Sequence, residues 1–352
     1  MPKARYLFTC VMLATPLFAA APTFIEVDGK RYGAQPDEIG PIGGGKGYKR
    51  LVTTGDFIVK DLEALIDALE NAKAGQVIFI PDETEIDCTT MLYIDELVLK
   101  IPAGVTIAGN RGERGSAGGL IYHDALKGRI LFQVMGEGVR ITGLRIRGPN
   151  TKRYLDHHRR SFAKGRGRDY YYKFPTQDGI ITSHGKLEID NCDLSGFGHA
   201  AIFLRDGDGH HIHHNVIHHC QYAGLGYGVC HDTASSLIER NRFDANRHSI
   251  AGTGRPGCSY EARHNVELGT SLSHCFDMHG GRDRQDGTQI AGTEILIHHN
   301  TFHAPETPVV IRGVPEKHCR VYNNWFPKHK DDEDAVHAED NTHVENNHYG
   351  DK

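Results

Sequence analysis

Apolar positions recur along this chain in short, evenly spaced segments. From about residue 132 onward, eight segments fit one pattern of mostly apolar, any, any, usually Asn, any, mostly apolar: ITGLRI, IDNCDL, IHHNVI, IERNRF, ARHNVE, IHHNTF, VYNNWF and VENNHY. From the second segment on, the fourth positions are Cys192, Asn215, Asn241, Asn265, Asn300, Asn324 and Asn347, at separations of 23, 26, 24, 35, 24 and 23 residues. A period near 24 residues predicts a solenoid built from repeated units.

The period has a specific structural meaning. Three short strands joined by three bends would close one rung, and successive rungs would pair at about 4.8 Å. An Asn at a recurring bend can hold a left-handed backbone and form hydrogen bonds to the same bend in the neighbouring rungs. The pattern therefore predicts an all-β fold, a single-stranded parallel β-helix. A leucine-rich horseshoe is the competing solenoid, but its leucine spacing is absent.

One segment near the N-terminus has helical periodicity instead. Residues 60–73 place apolar side chains at helical spacing and are followed by a glycine: Leu62, Leu65, Ile66, Leu69 and Gly75. The first rung would otherwise leave an open apolar end, so we expect this helix to cover it. The sequence thus predicts a single β-helix domain over 22–352, with an N-terminal capping α-helix at about 55–75.

The segments QVIFIPDETEID and VTIAGNRGERGSAGGLI, together with the asparagine-bearing rungs, resemble the pectate-lyase-like family of right-handed parallel β-helices. The resemblance covers roughly residues 55–350. It implies a right-handed solenoid and a carbohydrate-active protein. That family includes lyases, hydrolases, epimerases and phage adhesins. The resemblance therefore specifies the fold but does not select one of these activities.

The N-terminus predicts export. A basic start, an apolar run over 6–18 and small residues at 19–21 are typical of a secretory signal peptide, here residues 1–21. The run of about 14 apolar residues is too short to span a bilayer. We therefore expect a secreted or periplasmic protein, monomeric and not inserted in a membrane.

The cysteines leave the disulfide pattern open. Eight are present and one lies in the signal peptide, so at least one stays unpaired in a monomer. We expect Cys192 to be a buried thiol because it lies at a repeat position. Disulfides Cys220–Cys230 and Cys258–Cys275 both remain open.

The stretch 248–282 combines many polar side chains with the apolar positions of the repeat. Strand alternation directs Phe276 and Met278 inward, so Asp277 and His279 face outward. Aligned rungs add Thr253 one rung earlier, Arg312 one rung later and Arg205 three rungs earlier, about 15 Å away at roughly 5 Å per rung. We expect these residues to line one outer face.

The residue types on this face suggest acid–base chemistry on a negatively charged sugar. His279 can accept a carbon-bound proton, with Asp277 beside it. Tyr260 is a candidate partner acid, and Glu261 is a candidate general acid or an ordinary surface charge. Further substrate-binding candidates are Arg312, Arg255, Arg205, Thr253, His248, Arg282 and Tyr171; of these, Arg312 and Arg255 would neutralise a uronate carboxylate.

Residues 151–174 interrupt the repeat with a basic, aromatic insertion. Eight Lys and Arg against two Asp give it a net charge of +6, whereas the whole chain carries −5. Cations beside Tyr170, Tyr171 and Tyr172 suit an acidic polysaccharide. Export and the acidic remainder of the chain argue against nucleic acid as the partner. We expect the insertion to overhang the same outer face.

No metal site is predicted from the sequence. The pairs His213/His214 and His298/His299 lie three rungs apart, about 14 Å, and cannot share an ion; a solvated surface is the expected role. The acidic runs 206–209 and 331–334 lack the spacing of a known calcium loop, which leaves calcium open and no cofactor certain.

Together these features predict a polysaccharide lyase that cleaves a uronate-containing polysaccharide by β-elimination. A glycoside hydrolase is the first alternative; it needs two carboxylates about 5 to 10 Å apart, and Asp277 with Glu261 is the pair to nominate. A non-catalytic glycan-binding solenoid is the second alternative.

Overall fold

The computed structural model describes residues 21–351, so the predicted signal peptide lies outside the described residues, except for Ala21. Within them the chain winds into three long parallel sheets, here called sheets A, B and C in the order in which each rung visits them. A rung begins, for example, with Ala200–Leu204 in sheet A, continues with His210–His213 in sheet B and ends with Val216–His218 in sheet C. This is the right-handed parallel β-helix that the repeat and the family resemblance predicted.

The strands are short, which is expected when a bend follows every few residues. Sheet A contains Leu99–Ile101, Ile130–Val134, Asp178–Thr182, Ala200–Leu204, Tyr227–His231, His248–Gly252, Phe276–Met278, Val309–Ile311 and Val336–His337. Sheet B contains Phe57–Ile58, Val77–Phe79, Thr106–Ala108, Arg140–Thr142, Glu188–Asp190, His210–His213, Ser235–Glu239, Ser259–Arg263, Glu294–His298, His318–Tyr322 and Thr342–Glu345. Sheet C contains Glu85–Asp87, Leu120–Tyr122, Arg145–Arg147, Asp193–Ser195, Val216–His218, Arg242–Asp244, Val266–Glu267, Thr301–Phe302, Trp325–Phe326 and His348–Tyr349. Phe24–Val27 and Lys30–Gly33 form a separate hairpin.

Helices occur only at the edges of this solenoid among residues 21–351. They are Leu62–Asn71, Thr89–Ile94, Leu155–Phe162, Gly167–Tyr171, Gly281–Arg284 and Asp332–Ala335, with a 3-10 turn at Glu113–Gly115. The first is the predicted cap. Asp61 accepts a hydrogen bond from the Ala64 amide at its start, and Leu65 and Leu69 are buried where the helix packs against Leu99–Ile101 of sheet A and Val77–Phe79 of sheet B. None of these helices is long and apolar enough to cross a membrane.

A ladder of asparagine side chains fixes the corner between sheets B and C. The Nδ2 of Asn215 donates to the Oδ1 of Asn241 at 3.0 Å, and the same bond repeats from rung to rung up to Asn347. The predicted rung-to-rung hydrogen bonds are therefore present. The left-handed backbone lies one residue earlier, at positions such as His214 and His299. The prediction that the Asn itself adopts it was wrong, because the Asn must turn inward to reach its neighbours.

The N-terminal segment explains why the histidine pairs are not solvated. Residues 33–50, here called the strap, run along the outside of the same corner from late rungs to early ones. Asp37 contacts His214 at 3.2 Å, and Tyr48 donates to Asp190 at 2.6 Å. His213 and His214 are consequently buried, and their Nδ1 atoms lie 2.9 Å apart. The prediction of a solvated histidine surface was wrong at this corner.

Candidate functional site

A long groove follows the outer face of sheet A. Its larger part, about 1140 Å³, lies between the insertion and the loop after Thr89–Ile94. A smaller part of about 350 Å³ continues over the later rungs as far as His279. Arg168, His199 and Leu225 line both parts, which makes the two continuous. The insertion borders the same face that carries Asp277, as the sequence predicted.

The strand Phe276–Met278 presents the central polar residue of this face. Phe276 and Met278 are fully buried in the core, so Asp277 points outward. Cys275 is also buried in the core, next to Phe276. Two consecutive inward residues shift the alternation by one position, and His274 therefore lies on the outer face with Asp277. Strict alternation from Phe276 would place Cys275 on the outer face, so the regular pattern fails at this residue.

Asp277 is surrounded by donors. Its carboxylate receives the Nε and Nη2 of Arg312 at 2.9 and 2.8 Å, and the Nε2 atoms of His274 and His279 each lie 3.0 Å from one of its oxygens. Burial alone would raise the pKa of Asp277, but the hydrogen bonds from the two histidines outweigh it and hold the pKa well below its usual range. At neutral pH Asp277 is therefore a carboxylate that orients its neighbours.

His248 completes the cluster from the preceding rung. Its ring stacks on that of His274 with centroids 4.0 Å apart, and its Nδ1 lies 2.6 Å from the His274 carbonyl oxygen. Burial lowers the pKa of His248 well below its usual value, although the charge of Asp277 acts in the opposite direction. Its Nε2 lies 3.8 Å from Asp277. This sequence-predicted binding residue is fully buried beneath the groove floor.

His279 is the member of the cluster that reaches the groove. Its side chain is 29% exposed, whereas that of Asp277 is 0% exposed. Gly254 makes room for it: a side chain there would collide with the His279 carbonyl, and its φ of +72° also favours glycine. The Nε2 of His279 faces Asp277, which leaves Nδ1 as the nitrogen available to a ligand.

The predicted outward column is present along sheet A. Its members directly follow the paired inward positions Leu204, His231, Gly252, Met278 and Ile311, and they are Arg205, Asp232, Thr253, His279 and Arg312. Arg205 thus lies three rungs before His279, as predicted. Asp232 was not singled out from the sequence.

Several predicted binding side chains are already engaged within the protein. Arg255 forms an ion pair with Asp232 at 3.0 Å, and Thr253 donates to the same residue. Arg282 pairs with Glu339 at the rim. Arg312 is bound to Asp277, so its first role is to hold that carboxylate rather than to stand free for a ligand.

Tyr260 and Glu261 do not join this site, which corrects the prediction. Both lie in Ser259–Arg263 of sheet B, whereas Asp277 lies in sheet A. Tyr260 points into the core with 2% exposure, and Glu261 faces outward against Arg263 and His298. Both residues belong to the stretch 248–282 in sequence, but a bend separates them from the strands of sheet A, so they lie apart from Asp277 in space.

The prediction that Tyr171 binds substrate was also wrong. It is fully buried beneath the insertion, where its hydroxyl donates to the Ala223 carbonyl at 2.6 Å. It anchors the helices Leu155–Phe162 and Gly167–Tyr171 to the solenoid. The insertion presents Tyr172 and Arg168 to the groove instead.

Three groups in the groove were missed by sequence reasoning. His274 was hidden by the shifted alternation; the small residues at the position of Cys275 in earlier rungs, Ala201, Gly228 and Ser249, were the available signal. Arg284 reaches the groove from the short helix Gly281–Arg284 and donates to the Thr253 carbonyl at 2.7 Å. His199 lies 2.6 Å from Asp178, and no local motif marks that pair.

The described residues also contain two groups with the composition of metal ligands. One is Glu188 with His211 and His213 on sheet B, and the other is His248 with His274 and Asp277.

All seven cysteines among residues 21–351 are free and buried, so neither of the two disulfides left open forms. Cys192 is buried at the foot of the asparagine ladder, as predicted.

Comparisons with known proteins agree with the architecture. Residues 134–266 match the family model described as a right-handed β-helix region. A family 28 exopolygalacturonase of Yersinia enterocolitica is similar in structure, with a TM-score of 0.51, 11% sequence identity and coverage of 82% of this chain and 62% of that one. The chain thus spans less than two thirds of the length of that protein. At this identity the likeness shows the fold alone, a right-handed parallel β-helix. No curated protein matches the sequence.

Proposed function

We propose that the protein is an exported enzyme that cleaves a uronate-containing polysaccharide by β-elimination, with His279 as the base. The observation that carries the proposal is the contact of 3.0 Å between the buried Asp277 and the groove-facing His279. A buried carboxylate that fixes one nitrogen of a histidine leaves the other oriented toward a ligand. One protein with this fold is an exopolygalacturonase, which favours a polyuronate as the ligand.

The reaction needs a base and a cation on one face of the sugar. His279 takes the proton from C5 of the uronate, the C4–O bond breaks as the C4–C5 double bond forms, and the departing oxygen takes a proton from solvent. Negative charge builds up on the uronate carboxylate as the proton leaves, and a nearby cation stabilises it. Arg255 and Arg284 line the part of the groove that reaches His279, and Arg312 contacts Asp277 beneath it.

A hydrolase on the same groove is less well supported. Glycoside hydrolysis uses two carboxyl groups, one of which must hold a proton. Asp277 is ionised by its surroundings, and Glu261 lies on another sheet. The remaining groove carboxylate near Asp277 is Asp283, which shares Arg312 with it at 3.4 Å. One guanidinium thus contacts both acids.

Product chemistry tests the proposal directly. Incubation with a panel of uronate-containing polysaccharides should raise ultraviolet absorbance, because elimination creates a conjugated double bond. New reducing ends without that absorbance would establish hydrolysis instead. Retained binding without any product would establish a glycan-binding solenoid.

Paired variants test the residue assignment. His279→Gln should reduce turnover by about 100-fold or more, since general-base catalysis typically contributes that much. His343→Gln is the matched control, because His343 is exposed on sheet B away from the groove. Equal activity of the two variants would remove His279 from the mechanism.

A second pair tests the contribution of the insertion. Arg168→Ala should raise KM several-fold with a smaller change in kcat, because the guanidinium meets a carboxylate remote from the reacting carbon. Arg160→Ala removes an exposed arginine of the same insertion that does not line the groove and should leave KM unchanged. A similar effect of both variants would show only a general charge effect.

A further inference from the structure

We propose that His248, His274 and Asp277 form a binding site for one divalent transition-metal ion of the zinc class. The ligand atoms of the three residues all lie within 4.8 Å of one another beneath the groove. Two imidazoles and one carboxylate are a donor set that suits zinc or cobalt. The site goes beyond the proposed function, since ion binding can be measured without any substrate.

The separations of the donor atoms match a shared ion. The Nε2 of His274 lies 3.0 Å from Oδ1 of Asp277, and the Nε2 of His248 lies 3.8 Å from Oδ2. Ligands about 2.0 to 2.2 Å from a tetrahedral ion are roughly 3.3 Å from each other. Small side-chain movements would therefore place all three around one centre.

The buried Nε2 of His248 is the second observation that points to an ion. The Nδ1 of His248 lies 2.6 Å from the His274 carbonyl oxygen. Because a carbonyl oxygen can only accept a hydrogen bond, Nδ1 is the nitrogen that carries the proton. In the neutral ring Nε2 then carries a lone pair. It is fully buried, makes no hydrogen bond with a described residue and lies 3.8 Å from the Asp277 carboxylate. A cation between them would stabilise two electron-rich groups that face each other in the interior.

A backbone carbonyl on the second nitrogen is also the usual support of a metal-binding histidine. It fixes the ring orientation and directs the lone pair toward the metal. The other histidine–carboxylate group among the described residues lacks such an unpaired nitrogen. There His211 contacts Glu239 at 2.9 Å, and His213 contacts both Glu188 and His214. That group is satisfied as a hydrogen-bond network.

Arg312 competes with the ion for the ligand atoms of Asp277 and His274. Its Nη2 lies 2.8 Å from Asp277 and 3.0 Å from the Nε2 of His274. A second acceptor is available to it, because its Nη1 lies 3.4 Å from Asp283. The ion would bind as Arg312 turns to Asp283, which makes Arg312 a charge that sets the affinity of the site.

Metal titration of the chelator-treated protein tests the site. Isothermal titration with Zn²⁺ should give one equivalent per chain, and Co²⁺ should give visible absorption bands of a bound ion. Asp277→Asn and His274→Ala should each weaken binding by about 100-fold or more, because each removes one of three ligands. His211→Ala, in the other histidine group, should leave the affinity unchanged.

Arg312→Gln separates a metal site from an ordinary ion-pair cluster. Removal of a neighbouring positive charge should tighten Zn²⁺ binding by on the order of tenfold. Circular dichroism of each variant checks folding, and the Tm shift produced by Zn²⁺ gives a second readout. The proposal would be overturned if the folded protein bound no Zn²⁺, if Arg312→Gln weakened binding, or if only His211→Ala abolished it. These outcomes are independent of elimination activity, which the polysaccharide panel measures separately.

Discussion

At the scale of single residues, Glu267 occupies a position that apolar side chains fill in the neighbouring rungs. It pairs in register with Phe243 on one side and Phe302 on the other, and it is fully buried. Neither carboxylate oxygen makes a hydrogen bond of ordinary geometry with a described residue. Burial raises the pKa of Glu267 to about 8, although the nearby Ser249 hydroxyl acts in the opposite direction. The side chain is therefore protonated in the folded protein at neutral pH.

Glu267→Gln should alter how stability depends on pH. Between the usual glutamate pKa near 4.5 and about 8, the folded protein holds a proton that the unfolded chain has released, so stability of the natural protein falls as pH rises, by about 1.4 kcal/mol per unit from this group. The Gln variant lacks this loss, and its stability advantage should grow up to pH 8 and then level off. Denaturant unfolding at several pH values measures it.

An exposed glutamate supplies the control. Glu70 lies on the solvent face of the capping helix, so Glu70→Gln should give no pH-dependent difference. A constant difference between Glu267→Gln and the natural protein from pH 5 to pH 8 would contradict the buried, protonated state.

Sequence reasoning succeeds at residue scale where the strand alternates regularly. Asp277 and His279 were placed on the outer face because Phe276 and Met278 are apolar. It failed at His274 because Cys275 and Phe276 both turn inward. A cysteine is small and apolar enough for either face, so the pattern itself could not reveal the shift.

At the scale of elements, the asparagine ladder joins rungs that are otherwise connected only by strand pairing. Each central Asn donates to the next rung and to a carbonyl of the preceding one, as Asn265 does to Asn300 and Ile238. Its Oδ1 accepts from both the backbone and the side chain of Asn241. All of these groups are buried, so water cannot replace a lost partner.

Asn265→Ala should therefore destabilise the protein more than Asn347→Ala. Loss of Asn265 leaves several buried polar groups unpaired, at about 1 to 3 kcal/mol for each group that stays unsatisfied. Asn347 is half-buried and ends the ladder, so water can satisfy its neighbours. Urea denaturation compares the two. Equal losses would show that the ladder bonds contribute little beyond strand pairing.

The elements themselves were largely predictable. The 24-residue period gave the rungs and the spacing of Leu62, Leu65 and Leu69 gave the cap, because both patterns are local and repeated. The two short helices of the insertion carry no amphipathic repeat long enough to indicate that Tyr171 would be buried.

At the scale of the whole molecule, the strap connects late rungs to early ones. Gly33 donates to Asn323, Gly43 to Arg240 and Gly45 to Asn191, so its direction is opposite to that of the growing solenoid. At its end Arg50 pairs with Glu188 at 2.6 Å. These contacts bridge more than 100 residues of sequence, and no local pattern could have predicted them.

Removal of residues 22–50 should destabilise the corner between sheets B and C but leave sheet A unchanged. The strands Glu188–Asp190 and His210–His213 should lose protection from hydrogen exchange, because their outer side chains become solvated. The strand Phe276–Met278 should keep its protection, since the strap does not touch sheet A. Uniform loss of protection along the solenoid would instead show that the strap holds the whole fold.

The asparagine ladder lies at the corner between sheets B and C, opposite the groove on sheet A. The residues that keep the rungs in register are thus separated in space from those that face a ligand. Outward positions of sheet A can accumulate substitutions while the ladder preserves the backbone beneath them. Such a division gives the molecule capacity to evolve: new ligand specificities can arise on one face without reinvention of the scaffold.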